Sequence, residues 1–349
     1  MDTLKNRLQK KIDQKTKPVG ALGQLETIAM QIGLIQDTEK PTIQSPAIIV
    51  FAGDHGIAAT GLVNPYPQSV TAQMVMNFLR GGAAINVFTR LNAIELYVVD
   101  AGVNADFDAV IDSTFDSAGF IQAKQSMGTE NYMETNAMND HQVIQAIEAG
   151  KKIVDEIAIK GTNCIGFGEM GIGNSAAAAL IMSAITRLPI EECTGRGTGV
   201  NDEQLAIKIK TLNTVYSKHQ LNEYGLEPYQ LLSKVGGFEI AMMTGAYLAA
   251  YYNQMIIVVD GFIATAALLL AHQIEPAILE NCIFAHTSGE QGHQKMLHYL
   301  GVNPLLNLGM RLGEGTGSAI AIPIIRSSVA FLHEMASFEE AAVSSQSDK

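Results

Sequence analysis

A basic excess is missing. The 349 residues carry 23 Lys and Arg against 35 Asp and Glu, a formal net charge of −12. A nucleic-acid binder shows a basic stripe, and none is present. Cysteine is scarce: Cys164, Cys193 and Cys282 are odd in number, scattered, and form no CxxC pair. That argues against a disulfide framework or structural zinc and for reduced thiols. The opening MDTLKNRLQKKIDQK is polar and charged, unlike a secretory leader. The most apolar stretch, Met255 to Ala271, holds Asp260 and Gly261 near its start, so it reads as a strand turning into a helix rather than a membrane span. Asp54, His55 and His286 lack any HExxH or paired-histidine spacing, and polar rim residues are expected there rather than a metal site. These absences point to a cytoplasmic protein without nucleic-acid or membrane partners. The acidic balance does not forbid an anionic ligand, since a few oriented N–H groups and one lysine can hold a phosphate locally.

What is present is a large apolar fraction, 47%, against 17% charged residues, enough to offset chain entropy over most of the length. Short β-branched runs end in glycine-rich turns, often followed by small-residue helical segments. The runs Ala47 to Ala52, Glu95 to Asp100, Asn163 to Phe167, Met255 to Val259 and Asn281 to Ala285 do not alternate apolar with polar, the pattern of buried parallel strands. Strands alternating with helices predict a doubly wound, mainly parallel, Rossmann-like α/β sheet. Residues 36–317 are assigned to it. Residues 1–35 and 318–349 fall outside this rhythm and are expected to form a smaller helical subdomain, with SSQSDK as a frayed tail.

In such sheets ligands bind at the carboxyl ends of the strands. GDHG (Gly53 to Gly56), DAG (Asp100 to Gly102), GEMGIGN (Gly168 to Asn174), DGF (Asp260 to Phe262) and HTSGE (His286 to Glu290) should therefore share one rim. The run from Gly166 also spells GxGxxG, at Gly166, Gly168 and Gly171, so an NAD-dependent oxidoreductase is a rival reading, although RLPIEECTG makes a poor second strand. GRGTG (Gly195 to Gly199) precedes a helical stretch carrying Lys208; by itself the loop says only "turn", and a lone lysine is usually solvated. In RLGEGTGSA (Arg311 to Ala319), glycines flank Glu314 on both sides. Such a carboxylate can be approached closely and can act as a general base, or it can merely sit near a helix start capped by Thr316 or Ser318.

Taken together, KPVGALGQLE, FAGDHGI, YPQSVTAQM, GEMGIGN, GRGTG with Lys208, SKVGGFEIAMMTGA, VVDGFIATAAL, MRLGEGTGSA and MASFEEAAVS resemble the nicotinate-nucleotide–dimethylbenzimidazole phosphoribosyltransferase family of cobamide biosynthesis over nearly the whole chain. The resemblance implies transfer of phosphoribose from nicotinate mononucleotide to a benzimidazole-type base, with no cofactor and a homodimeric enzyme. It implies Glu314 as the catalytic base and Glu169 as a second carboxylate. Gly171, Gly173 and Asn174 match the loop near the nucleotide, Lys208 a phosphate lysine, and Ser288 and Gly289 a second phosphate contact. Tyr66 and Met74 align with positions lining the base pocket. HTSGEQGH departs from the HxSAExGH form expected there. VVDGF carries one acid where diphosphate-dependent phosphoribosyltransferases show two. A non-catalytic nucleotide-binding protein of the same fold is the remaining rival.

Overall fold

The computed structural model describes residues 3–107, 119–197 and 199–344. Thr198 of the GRGTG run and all but the first residue of the SSQSDK tail lie outside the described residues. Six strands, β1 (Ala47–Gly53), β2 (Glu95–Gly102), β3 (Phe120–Gln122), β4 (Cys164–Met170), β5 (Ile256–Val259) and β6 (Cys282–Phe284), form one sheet in the order β3-β2-β1-β4-β5-β6. Every pairing is parallel. The order reverses between β1 and β4, which opens a crevice at their carboxyl ends.

The helices are α1 (Leu4–Asp13), α2 (Gln24–Ile35), α3 (Ser69–Leu79), α4 (Ala84–Leu91), α5 (Asp140–Ile159), α6 (Asn174–Thr186), α7 (Ile190–Cys193), α8 (Asp202–Lys218), α9 (Pro228–Val235), α10 (Phe238–Tyr252), α11 (Phe262–Ile274), α12 (His293–Leu300) and α13 (Thr316–Glu334). The strand period of two sorts the core into two layers. Ile49, Phe51, Ile165, Phe167, Ile257 and Val259 face α5, α6, α10 and α11. Ile48, Val50, Cys164, Ile256 and Val258 face α2, α3, α4 and α13. Leu8, Ile12, Ala29 and Leu332 form a third, small cluster tying α1 to α2 and the end of α13. Pro323 lies inside α13 without ending it.

Two differences from the sequence reading bear on function. Strand β4 runs to Met170, three residues beyond the expected Phe167. Gly166 and Gly168 are therefore strand residues, not a phosphate turn, and the GxGxxG spacing does not form the dinucleotide fingerprint. β3 has no counterpart among the expected strands, because three residues give too short a run to show a pattern.

Small residues let the helices pack close, most tightly where α5 crosses α10. A Cβ on Gly245 would fall on the Ile147 carbonyl oxygen, and one on Gly150 on that of Met242. The contact is backbone on backbone, so no side chain can rotate away. Gly245→Ala gains about 1 kcal/mol of helix propensity but forces the helices apart, at a cost of about 1–3 kcal/mol. A lower urea midpoint is expected; a raised one would show that the crossing has room.

Candidate active site

The crevice holds a cavity of about 530 Å³. Three strand ends feed it. Glu169, Met170 and Gly171 come from β4, Asp260 and Gly261 follow β5, and His286, Ser288 and Glu290 follow β6. The chain then returns through Arg311, Leu312, Gly313 and Glu314 before starting α13. Tyr66, Val70 and Met74 bring an apolar wall from α3 and its lead-in.

Close approach of two backbones sets the geometry around Glu314. A Cβ on Gly168 would lie on the Glu314 carbonyl carbon and the Gly315 nitrogen, so only glycine lets the turn settle on the end of β4. Glu314 itself is held at φ 62°, a left-handed conformation that costs a non-glycine residue about 1–2 kcal/mol. Asp260 offsets that strain. Its carboxylate accepts the N–H of Gly315 and the N–H of Ser318, each at 3.2 Å, occupying the exposed donors at the start of α13. His286 Nε2 stands 3.6 Å from the same carboxylate.

This packing brings Glu169 and Glu314 together on the cavity wall, 8% and 5% exposed. Glu169 accepts a hydrogen bond from the Asn174 side chain. Burial, then the negative charges of Asp260, Glu239 and Glu314, push the Glu169 carboxyl up to about 8. Burial and the Asp260 charge push Glu314 up to about 7. Near neutral pH Glu169 thus keeps its proton while Glu314 is close to half ionised, so Glu314 is the more available base of the two. One Glu314 oxygen, Oε2, is buried without a hydrogen-bond partner, leaving an acceptor for a ligand proton.

At the other end, Ser175 in the first turn of α6 and Gly197 reach the cavity. Lys208 is not on the wall. It is 1% exposed behind it, donating to Ser175 Oγ at 3.1 Å and to the Gly195 carbonyl at 3.2 Å. A solvated lysine, the ordinary expectation for this position, is thereby excluded. Desolvation pulls its ammonium down to about 8, against the attraction of Glu290. Gly171, Asn174 and Ser288 line the cavity, as do Tyr66 and Met74. Gly173 sits one layer below as the N-cap of α6 at φ 101°. Gly289 is also off the wall, and its N–H is already donated to the Met310 carbonyl.

Asp54 and His55, expected on the rim, turn inward. His55 pairs with Glu239 at 2.6 Å with both side chains fully buried, and Asp54 accepts the Asn104 N–H. Among the described residues no group of three or more His, Cys, Asp or Glu could hold a metal ion. Sequence reasoning missed the roles of Asp260, Glu290, Ser175 and Arg311. The DGF and HTSGE turns placed the first two on the rim, but nothing local shows that Asp260 serves a turn more than fifty residues away.

Comparison with known proteins shows the family. Residues 1–343 match a family described as Phosphoribosyltransferase. A protein of Dechloromonas aromatica (strain RCB) named nicotinate-nucleotide–dimethylbenzimidazole phosphoribosyltransferase is 51% identical over 341 residues, covering 98% of this chain and 96% of that protein. One of the same name from Photobacterium profundum is 48% identical over 97% of this chain and 96% of its own length. The crystal structure of CobT from Thermus thermophilus superposes with a TM-score of 0.91 at 38% identity, covering 98% of this chain and 99% of that one. On whole-length similarity of sequence and fold, the chain belongs to the nicotinate-nucleotide–dimethylbenzimidazole phosphoribosyltransferase family.

Proposed function

We propose that the protein transfers phosphoribose from nicotinate mononucleotide to 5,6-dimethylbenzimidazole or a related base, giving α-ribazole 5′-phosphate and nicotinate for the nucleotide loop of a cobamide. The observation that carries this reading is the pair of buried carboxyls, Glu169 and Glu314, at the wall of a cavity large enough for a nucleotide and a flat base. The leaving pyridinium departs as a neutral ring nitrogen, so no diphosphate needs a counter-ion. One benzimidazole nitrogen attacks the ribose anomeric carbon from the side opposite the departing ring, inverting β to α. The other nitrogen gives up its proton, and Glu314 accepts it. Glu169 stays protonated beside it and keeps the pair from carrying two negative charges. The protein then supplies alignment and one base.

The loop at Gly171 and Gly173, with Asn174, is read as the nucleotide cradle. Lys208, acting with Ser175, and Ser288 next to Gly289 are read as the phosphate end. Tyr66 and Met74 form an apolar slot for the base. A homodimer in the cytoplasm belongs to the same reading and rests on the family resemblance. No helix among the described residues is long and apolar enough to cross a membrane.

The central test is Glu314→Gln, which keeps size and hydrogen bonding but cannot take the proton. It should lower kcat by about 10²- to 10⁴-fold with nicotinate mononucleotide still bound. Turnover within about threefold of wild type would make Glu314 a structural residue and sink the mechanism. Lys208→Ala should weaken nicotinate mononucleotide binding by about 1.5–3 kcal/mol, the worth of a charge-assisted bond. An unchanged dissociation constant would remove the lysine from the phosphate site. Replacing Tyr66 and Met74 together by small polar residues should reorder preference among benzimidazoles, purines and phenols without changing nicotinate mononucleotide binding. Uniform loss with a lowered Tm would mean they only pack.

A further inference from the structure

The phosphate end contains a carboxylate that the transfer reaction does not call for. Glu290 lines the cavity between Ser288 and the Gly197 loop. Its Oε2 accepts the Gly197 N–H at 3.3 Å, and a Cβ on Gly195 would collide with the same oxygen, so the carboxyl lies against this backbone. The charged groups facing it are few. Lys208 on α8 stands behind the wall, attracting it without forming an ion pair, and Arg311 approaches from the loop before Glu314, its guanidinium donating to the Gly197 carbonyl at 3.1 Å. His293 on α12 does not face it: one ring nitrogen accepts the Ser288 N–H and the other meets Thr265 Oγ1. When ionised, Glu290 attracts the Lys208 ammonium across the wall.

A phosphate monoester held by Lys208 and Ser175 enters that same corner. It brings up to two negative charges beside a carboxylate that lies against Gly195 and accepts the Gly197 N–H. Lys208 and Arg311 offset two charges, while phosphate and Glu290 together carry three. We propose that Glu290 takes up a proton when the phosphate of nicotinate mononucleotide binds, and then donates a hydrogen bond to a phosphate oxygen. Substrate capture is in this way coupled to one proton from solvent. Burial already favours the neutral acid and raises its proton affinity. The coupling makes the site discriminating: a phosphate is held by cations and a neutral acid, whereas an ionised Glu290 attracts Lys208 and repels adventitious anions. This rests on the phosphate assignment proposed for Lys208 and Ser175.

Calorimetric titration of the full chain, in buffers of differing ionisation enthalpy, counts the protons. At a pH of about 7.5, nicotinate mononucleotide should be accompanied by uptake of close to one proton more than nicotinate riboside, which lacks the phosphate. Its dissociation constant should weaken by up to about tenfold per pH unit on the alkaline side. In Glu290→Gln the extra uptake and the steep pH dependence should vanish, while riboside binding is unchanged. Equal proton counts for the two ligands in the wild type would overturn the proposal without any variant. Uptake that persists in a folded Glu290→Gln, checked by its Tm, would place the proton on the phosphate or on Lys208, whose ammonium burial pulls down to about 8, and overturn it as well. If nicotinate mononucleotide itself does not bind the wild type, the parent reading fails, and this one with it. If it binds with Lys208→Ala unchanged, the phosphate assignment fails and takes this proposal with it, while the transfer reaction stands.

Discussion

The site depends on one backbone contact: the Glu314–Gly315 turn resting on Gly168 at the end of β4. Any side chain at position 168 would lift the turn away, and with it the carboxyl it carries. Asp260, at the end of β5, holds the turn in place through two N–H groups of the α13 start. The strained backbone of Glu314 persists because its surroundings over-determine it. The consequence is electrostatic. Two carboxyls share a buried wall with a third acid, Asp260, and burial together with the neighbouring negative charges raises the proton affinity of both. A carboxylate in water is a poor base near neutral pH because it binds protons too weakly; raised toward 7, its affinity becomes matched to the task.

The cavity divides its labour along its length. Glu169, Asp260 and Glu314 gather at one end, where the proposed transfer calls for a proton acceptor. A buried lysine and an arginine lie with Ser175, Gly197 and Glu290 at the other, the proposed phosphate end. This answers how a chain of net charge −12 can take an anionic substrate: local geometry decides, and the net charge acts mainly on solubility and encounter.

Much of this was legible in the sequence. Buried parallel strands show as unbroken β-branched runs, so five of six strands follow from pattern alone, and of the five turns expected on the rim GEMGIGN, DGF and HTSGE line the cavity while GDHG and DAG do not. RLGEGTG stands out because glycine on both sides of an acid serves no ordinary helix or strand. The rest was hidden for physical reasons. Gly168 reads as the start of a turn, whereas it lies inside β4 to admit the Glu314 turn, as Gly166 admits Ile48 and Ser318, contacts made by distant segments. The burial of Lys208 depends on Gly195 and Ser175 folding over it. Gly289 spends its N–H on Met310, a pairing that no local pattern encodes.

The central claim is that a buried carboxyl at Glu314 must be ionised for transfer to occur. Its most direct test is the single-turnover rate of base ribosylation, with both substrates saturating, as a function of pH. The rate should rise through about 7, where Glu314 loses its proton, and level off above it, as expected for a base whose raised proton affinity governs the step. A rate that is flat from about pH 5.5 to about 9, or that falls as pH rises through 7, would contradict the account.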